Sequence, residues 1–317
     1  MSATASNVSD RDLGITRVDL AELIALRARA GKPRTQATHS RQANVGNHLS
    51  ALRGRGMDYA ESRVYQPGDD ARNIDWRRTA RSGKWHTKLF QVEREHSLLL
   101  LFDMHPTMRF GTRTRYKSVA AARTAAWLTW TCVRGGDKVG ALAFGALRAA
   151  VAAHSGTRGA LAVLGALARW DQQALAAGEG GHEPLSAALK RAQRTLAPGN
   201  QVWLLSDGWC AGAGTVAALV RLARDVDLRV AILADPLERA RAPAGNYVFE
   251  TASGRRRVDL ADASARTQLR NRLATGWRGL AAACDEASVP WAVLATTDEP
   301  EVALAPLWRR RARGRRP

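Results

Sequence analysis

Two strand-like segments each end in an aspartate, and these carboxylates are the first candidates for chemistry. One reads LLLLFD and ends at Asp103, and the other reads QVWLLSD and ends at Asp207. In open parallel sheets, ligands bind beyond the carboxyl ends of the strands, where the strand order reverses. We therefore expect Asp103 and Asp207 to lie at the functional site. The structural alternative is that both cap helix N-termini and hydrogen-bond across the crevice without an ion.

A second group of carboxylates lies in residues 63–81, where a Pro-Gly turn precedes Asp69 and Asp70. Arginines surround the pair, which is typical of a buried ion-pair network. They would also lower the pKa of both carboxyls, which disfavours a catalytic acid. Trp76 is predicted to anchor this loop to the core. The candidate donors to the two carboxylates are Arg63, Arg72 and Arg81.

Hydrophobic patterning predicts the elements that position these residues. From Ser97 onward, continuous apolar strands alternate with helices, which indicates an α/β fold with a mostly parallel, doubly wound sheet covered on both faces. Further strands are predicted at 137–144, 147–153, 201–206, 228–234 and 290–294. Helices are predicted at 117–133, 159–170, 184–196, 215–225 and 258–284.

The same pattern divides the chain into four segments. Residues 1–47 are predicted to hold a short helix at 19–29 and a basic connector. Residues 48–96 are predicted to form short strands and turns, and residues 97–300 the α/β domain. Residues 301–317 are predicted to be a disordered basic tail, with six arginines between Trp308 and Pro317. The tail is either solubilising or a contact with nucleic acid or an acidic surface.

Composition narrows the class of protein. Lys and Arg total 48 against 29 Asp and Glu, a net charge of +19, so the surface should attract polyanions or acidic proteins. Three distant cysteines fit reduced core thiols. The N-terminus lacks a secretory pattern and no apolar run approaches the roughly 20 residues of a membrane span, which predicts a cytoplasmic protein. No phosphate-binding, dinucleotide-binding or nucleophile-elbow motif is present, so we predict a non-enzymatic protein that binds partners.

The pattern R-x-Y-x-P-G-D-D-x-R-x-I-D-W closely resembles the signature of the domain of unknown function 58 family. Members carry a von Willebrand factor A-like (Rossmann-like) domain and are usually encoded beside MoxR-type AAA+ ATPases. The resemblance extends over most of residues 40–235. It implies an adaptor that works with such an ATPase in a chaperone-like or assembly role. The signature residues are Arg63, Tyr65, Pro67, Gly68, Asp69, Asp70, Arg72, Asp75, Trp76 and Arg81.

The resemblance also implies a metal site, because von Willebrand factor A domains hold Mg²⁺ with a D-x-S-x-S loop, a threonine and a later aspartate. Here a histidine replaces the first serine of that loop, and the second loop is also altered. One divalent cation, Mg²⁺ or Mn²⁺, and no cofactor at all are equal alternatives. The candidate ligands are Asp103, His105, Thr107, Glu183 and Asp207, with His182 as a substitute for Glu183.

The alternative function is nucleic-acid binding. Trp76 and Trp85 are interleaved with Arg and Lys and could stack on single-stranded bases. Packing of Arg on Trp within the signature explains the same pattern. Four other tryptophans are predicted to lie in the core: Trp127, Trp130, Trp203 and Trp291.

Overall fold

The computed structural model describes residues 12–31, 57–66, 69, 71–92, 97–176, 182–240, 243–251 and 254–309. The chain divides into two compact units. The sheet unit comprises residues 1–35 and 96–317, and the signature unit comprises residues 36–95. The predicted connector at 32–47 lies outside the described residues, and the four predicted segment boundaries stay predictions.

The strands are β1 Met57–Val64, β2 His86–Val92, β3 Ser97–Asp103, β4 Lys138–Phe144, β5 Ala149–His154, β6 Gln201–Ser206, β7 Asp227–Ala234, β8 Asn246–Thr251, β9 Gly254–Asp259 and β10 Trp291–Ala295. The helices are α1 Leu20–Ala25, α2 Trp76–Ser82, α3 Lys117–Arg134, α4 Gly156–Ala176, α5 Leu185–Gln193, α6 Thr215–Asp225, α7 Pro236–Arg239, α8 Ala263–Leu273, α9 Thr275–Glu286, α10 Pro300–Ala303 and α11 Ala305–Arg309.

The centre of the sheet unit is a six-stranded sheet in the order β10-β7-β6-β3-β4-β5. Neighbouring strands are parallel except for β5, which pairs antiparallel with β4 at one edge. Numbered from β3 along the chain, the order becomes 3-2-1-4-5-6, which is that of a doubly wound Rossmann-like sheet. The predicted fold class is confirmed.

Helices cover both faces of this sheet, and the side chains of β3 show why. Leu100 and Phe102 belong to the core cluster beneath α3 and α4, whereas Leu101 belongs to the cluster beneath α5, α6 and α9. Successive strand residues point to opposite faces, so a continuous apolar strand can supply two cores. Trp127, Trp130 and Trp203 are buried as predicted, while Trp291 is only partly buried.

Two predictions near the C-terminus are wrong. The long helix at 258–284 is instead the end of the β8–β9 hairpin followed by α8 and α9, because Asp262 caps α8 and Ala274 separates the two helices. Residues 301–309, assigned to a disordered tail, are helical in α10 and α11 because Leu304 and Leu307 are buried. Residues 310–317 lie outside the described residues.

The signature unit contains an antiparallel hairpin of β1 and β2, with α2 between them in sequence. Asp75 caps the start of α2 by accepting from Arg78 N, and Gly83 ends the helix at φ 68°. A positive φ suits glycine at this helix end. Within residues 57–66 and 71–92 the structure has two strands and the short helix α2, which the sequence pattern did not predict.

Candidate functional site

The two strand-end aspartates lie on neighbouring strands, as the sequence predicted. Asp103 ends β3 and Asp207 follows β6, and the two strands pair in parallel with Phe102 opposite Leu205. Both aspartates are almost completely buried. The carboxyl edge of the sheet therefore encloses two acidic side chains that water does not reach.

Asp103 is held entirely by neighbouring protein groups. Its Oδ2 accepts hydrogen bonds from Ser206 Oγ at 2.6 Å and Cys210 Sγ at 3.0 Å, and its Oδ1 accepts from His105 N at 2.8 Å. Burial, together with the charge of Asp207, raises the pKa of Asp103 to about 7. Burial and the neighbouring Asp103 also raise the pKa of the Cys210 thiol well above its usual value. Neither group is therefore activated as a nucleophile.

A buried lysine that the sequence reading missed neutralises the second aspartate. Lys117, the first residue of α3, is 1 % exposed, and its Nζ lies 2.7 Å from Asp207 Oδ2 and 2.8 Å from Glu238 Oε1. Burial alone would lower the pKa of Lys117, but the two carboxylates raise it above its usual value. The signal for this residue was a lysine at the head of an otherwise Ala-rich apolar helix.

Glu238 connects Lys117 to further polar side chains that follow the carboxyl ends of strands β7 and β10. Asp235 and Glu238 form a capping box at α7, in which Asp235 N donates to Glu238 Oε2 at 2.8 Å. Asp235 also accepts hydrogen bonds from the hydroxyls of Thr112 and Thr296. We call the set Asp103, Lys117, Ser206, Asp207, Cys210, Asp235 and Glu238 the buried network.

The predicted loop residues His105 and Thr107 contact each other. His105 Nδ1 lies 2.8 Å from Thr107 Oγ1, and the His105 ring packs edge-on against His182 with ring centroids 4.9 Å apart. Burial lowers the pKa of His105 below its usual value. Gly145 packs closely against the backbone of this loop, because a Cβ there would lie 2.7 Å from His105 N.

Glu183 is engaged elsewhere, although the sequence placed it among the ligands. Arg191 holds both of its carboxylate oxygens, with Nη2 at 2.6 Å from Oε2 and Nε at 3.1 Å from Oε1. Arg148 lies 3.4 Å from Oε1. These two guanidinium groups satisfy the charge of Glu183.

The residues at the strand ends do not fit the implied divalent cation. Both oxygens of Asp103 accept protein hydrogen bonds, and Asp207 is bonded to Lys117 and Trp209 N. Within the described ranges, no group of three or more His, Cys, Asp or Glu side chains is arranged to hold a metal. The Lys117 ammonium already supplies positive charge at Asp207, so a metal there would be repelled.

An exposed tryptophan is joined to the buried network by a backbone hydrogen bond. Trp209 is 40 % exposed, and its backbone N–H donates to Asp207 Oδ1 at 3.1 Å. Gly208 adopts φ +83°, and a Cβ there would lie 2.3 Å from Gly276 O. A Cβ on Gly276 would in turn lie 2.6 Å from Trp209 Cδ1. The loop that presents Trp209 is therefore fixed against α9.

The signature segment forms one of the predicted ion pairs, but the pair is partly exposed rather than buried as predicted, and the predicted anchor does not form. Arg63 Nη2 donates to Asp69 Oδ1 at 2.6 Å, and Tyr65 Oη donates to Asp69 O at 3.2 Å. Asp75 accepts from Ser62 Oγ at 2.6 Å. Trp76 is 64 % exposed, so its assignment to the core is wrong. It is the first residue of a short helix in which no residue is buried. Arg72 and Arg81 are exposed, and Pro67, Gly68 and Asp70 lie outside the described residues.

The fold and the buried network together define an α/β protein with a doubly wound, Rossmann-like sheet and an internally neutralised strand-end site. The family model "Protein of unknown function DUF58" matches residues 61–279, and this chain belongs to that family. It is 40% identical over 112 residues to the uncharacterized protein Rv1480 of Mycobacterium tuberculosis, and equally to Mb1516 of Mycobacterium bovis. Each alignment covers 35% of this chain and 35% of the relative, so about a third of each relative is matched.

Solved structures resemble the chain more distantly. BatB from Bacteroides thetaiotaomicron is 14% identical with a TM-score of 0.42, covering 68% of this chain and 96% of BatB. An aerotolerance-related membrane protein from Bacteroides fragilis is 17% identical with a TM-score of 0.35, covering 61% and 98%. A von Willebrand factor type A protein from Catenulispora acidiphila is 14% identical with a TM-score of 0.34, covering 61% and 44%. Such low TM-scores support no argument about function.

These comparisons correct the predicted partners. That prediction named a MoxR-type ATPase and an acidic protein or nucleic acid at the tail, and it specified no membrane span. One of the solved structures that resemble the chain is titled a membrane protein, a class that the predicted set of partners did not include. In the part of the chain that the structure describes, no helix combines the length and apolar character needed to cross a bilayer. The cytoplasmic location stays a prediction.

Proposed function

We propose that this chain is a non-enzymatic protein-interaction module whose docking face is the carboxyl edge of the six-stranded sheet. The observation that carries the proposal is Trp209, which is 40 % exposed on a loop that the buried network and α9 hold in place. Exposed, rigidly held tryptophans dominate the binding energy of many protein interfaces. The chaperone-like or assembly role rests on the family resemblance alone.

The chemistry of the buried network favours binding over catalysis. Its carboxylates, hydroxyl and thiol are consumed in internal hydrogen bonds, and its four acidic side chains are buried beyond the reach of a substrate. A general acid or base must lie within hydrogen-bond reach of the reacting group. The network instead stiffens the loops that follow β3 and β6, which limits the ordering cost of docking.

Site-specific crosslinking tests the docking face. A photoreactive amino acid is placed at residue 147, which follows β4 at the carboxyl edge, in the full chain expressed in its native cell. A matched chain carries it at residue 197, in the loop that enters β6 at the opposite edge. We expect a discrete crosslinked species from position 147 and none from position 197.

A tryptophan variant then assigns that species to the docking face. Trp209→Ala should weaken the crosslink from position 147 roughly 30-fold, as expected when an interface anchor is removed. The proposal is abandoned if position 197 captures the same species with equal yield. It is also abandoned if Trp209→Ala, shown to be folded by circular dichroism, leaves the crosslink unchanged.

A further inference from the structure

The signature unit carries three aromatic rings in one cluster, which we call the aromatic cluster: Tyr65, Trp76 and Trp85. The ring centroids of Tyr65 and Trp85 lie 6.1 Å apart, and those of Trp76 and Trp85 also lie 6.1 Å apart. Trp76 is 64 % exposed and Trp85 is 57 % exposed. Adjacent large apolar side chains held in water mark an interaction surface.

Regular backbone structure fixes the cluster in place. Tyr65 N donates to Trp85 O at 2.8 Å, which joins the end of β1 to the start of β2. Trp76 begins α2, where the Asp75 cap sets the direction of the helix. The rings are therefore presented by a hairpin and a capped helix, so their exposure is built into the fold of this unit.

The surroundings of the aromatic cluster are strongly basic. The nearest described carboxylates are already engaged, Asp69 by Arg63 and Asp75 by Ser62 and the α2 cap. Arg63 offsets the charge of Asp69, and Asp75 keeps a single negative charge, so an excess of positive charge remains. The exposed cations are Arg77, Arg78, Arg81, Lys84 and Lys88.

We propose that the aromatic cluster and these cations form a peripheral binding surface for an anionic lipid bilayer. Tryptophan and tyrosine favour the interface between headgroups and acyl chains, where their rings are apolar and their polar atoms remain hydrated. Lysine and arginine beside them are attracted to the negative surface of anionic lipids. A surface of both kinds binds a bilayer more strongly than either kind alone. The proposal is independent of the docking face in the sheet unit.

The ring geometry favours lipid over single-stranded nucleic acid. The planes of Tyr65 and Trp85 are inclined by 55°, and those of Trp76 and Trp85 by 58°. Stacking of successive bases requires separate aromatic faces that the bases can cover in turn. Rings packed at a steep inclination instead form one apolar wedge, which suits insertion among headgroups. Lys84 and Lys88 make a protein interface less suited, since lysine is depleted in such interfaces.

Vesicle sedimentation of the full chain tests the proposal. We expect the wild type to bind phosphatidylcholine vesicles that contain phosphatidylglycerol and to bind pure phosphatidylcholine vesicles much more weakly. The double variant Trp76→Ser/Trp85→Ser should lose roughly tenfold in partition coefficient. Acyl-chain bromination should quench tryptophan fluorescence in the wild type and quench it less in the double variant.

Matched variants keep the test specific to the aromatic cluster. Trp209→Ser removes an exposed tryptophan of the sheet unit and should leave vesicle binding unchanged. Arg77→Gln/Arg81→Gln/Lys84→Gln should weaken binding and reduce its dependence on salt. Circular dichroism of each variant establishes that α2 and the hairpin persist, so that a lost surface is distinguished from a lost fold.

Three outcomes would overturn the proposal. The first is that wild-type protein fails to sediment with anionic vesicles at about 0.1 M salt. The second is that Trp76→Ser/Trp85→Ser binds as well as the wild type, while replacing the six tail arginines by serine abolishes binding. The third is that the double variant loses affinity for a single-stranded oligonucleotide but not for vesicles, which would assign the cluster to nucleic-acid binding.

Discussion

The sheet unit and the signature unit both pair basic with acidic side chains, but in opposite surroundings. Lys117 is 1 % exposed between Asp207 and Glu238, whereas the side chains of Arg63 and Asp69 are 37% and 18% exposed. Removing one partner of a buried pair strands a charge in a medium of low polarity, while water replaces a lost partner at the surface. The density of charged residues in a sequence is therefore a poor guide to their energetic weight.

The largest expected change in stability is that of Lys117→Met, which roughly keeps the length of the side chain and removes its charge. We expect the free energy of unfolding to fall by about 3–5 kcal/mol, because Asp207 and Glu238 are left buried without a counter-charge. Chemical denaturation followed by circular dichroism measures the loss. Lys190→Met on the exposed face of α5 is the control and should change stability by less than about 0.5 kcal/mol. If Lys117→Met and Lys190→Met lowered the free energy of unfolding equally, the buried pair would have no greater energetic effect than an exposed charge.

The next test concerns Asp103, whose pKa is raised to about 7 by burial and by Asp207. A raised carboxyl pKa means that the folded protein binds a proton that the unfolded chain releases near pH 4. The resulting stability is complete below pH 4 and is lost as the pH rises to about 7. Asp103→Asn mimics the protonated acid and lacks this loss. Its stability relative to wild type should therefore increase by on the order of 3 kcal/mol between pH 4 and 7.

Denaturation of both proteins across that pH range measures the difference. Glu238 also has a raised pKa, but it titrates in both proteins and largely cancels. A difference that stays constant with pH would mean that Asp103 is ionised throughout the range.

A smaller effect is expected in the signature unit. Arg63→Ala removes the ion pair with Asp69 and should cost about 0.5–1 kcal/mol, because both groups are partly solvated. Thermal unfolding in low and high salt measures it, and the cost should shrink as salt rises. Arg81→Ala, also in this unit, serves as the control. A loss as large as that of Lys117→Met would show that the signature pair is effectively buried.

The smallest expected effect is that of divalent cations. Because Lys117 supplies the positive charge at Asp207, the melting temperature should move by less than about 1 °C with EDTA, Mg²⁺ or Mn²⁺. Differential scanning fluorimetry is sufficient. A rise of several degrees with Mg²⁺ that disappears in Asp103→Asn would instead establish a working metal site.

The sequence predicted the fold better than the site because the two depend on different information. Continuous apolar strands and intervening helices are local patterns, and they identified the doubly wound sheet and both strand-end aspartates. Lys117 and Glu238 lie on helices far apart in sequence, and their meeting depends on how those helices pack. The network partner Cys210 was predicted only as a core thiol, because nothing local indicates that it donates to Asp103.

The prediction that Trp76 is buried was wrong for a related physical reason. Tryptophans are usually buried, and the arginines around this one gave no reason to expect otherwise. Its exposure follows from its place at the first residue of a short helix in a small unit, which has little core to cover it. Glu183 was wrongly predicted as a metal ligand because its position next to His182 in sequence does not indicate its partner. Arg191, eight residues later, donates to both of its carboxylate oxygens.

The contact between Gly208 and Gly276 offers a way to sort the family by sequence. Each position excludes a side chain because the other backbone, or the Trp209 ring, occupies the space where a Cβ would lie. A relative with alanine or anything larger at either position must hold α9 away from the loop that follows β6. Paired glycines at these two positions are thus a diagnostic for relatives that share the same loop geometry, and they can be scored before any relative is purified.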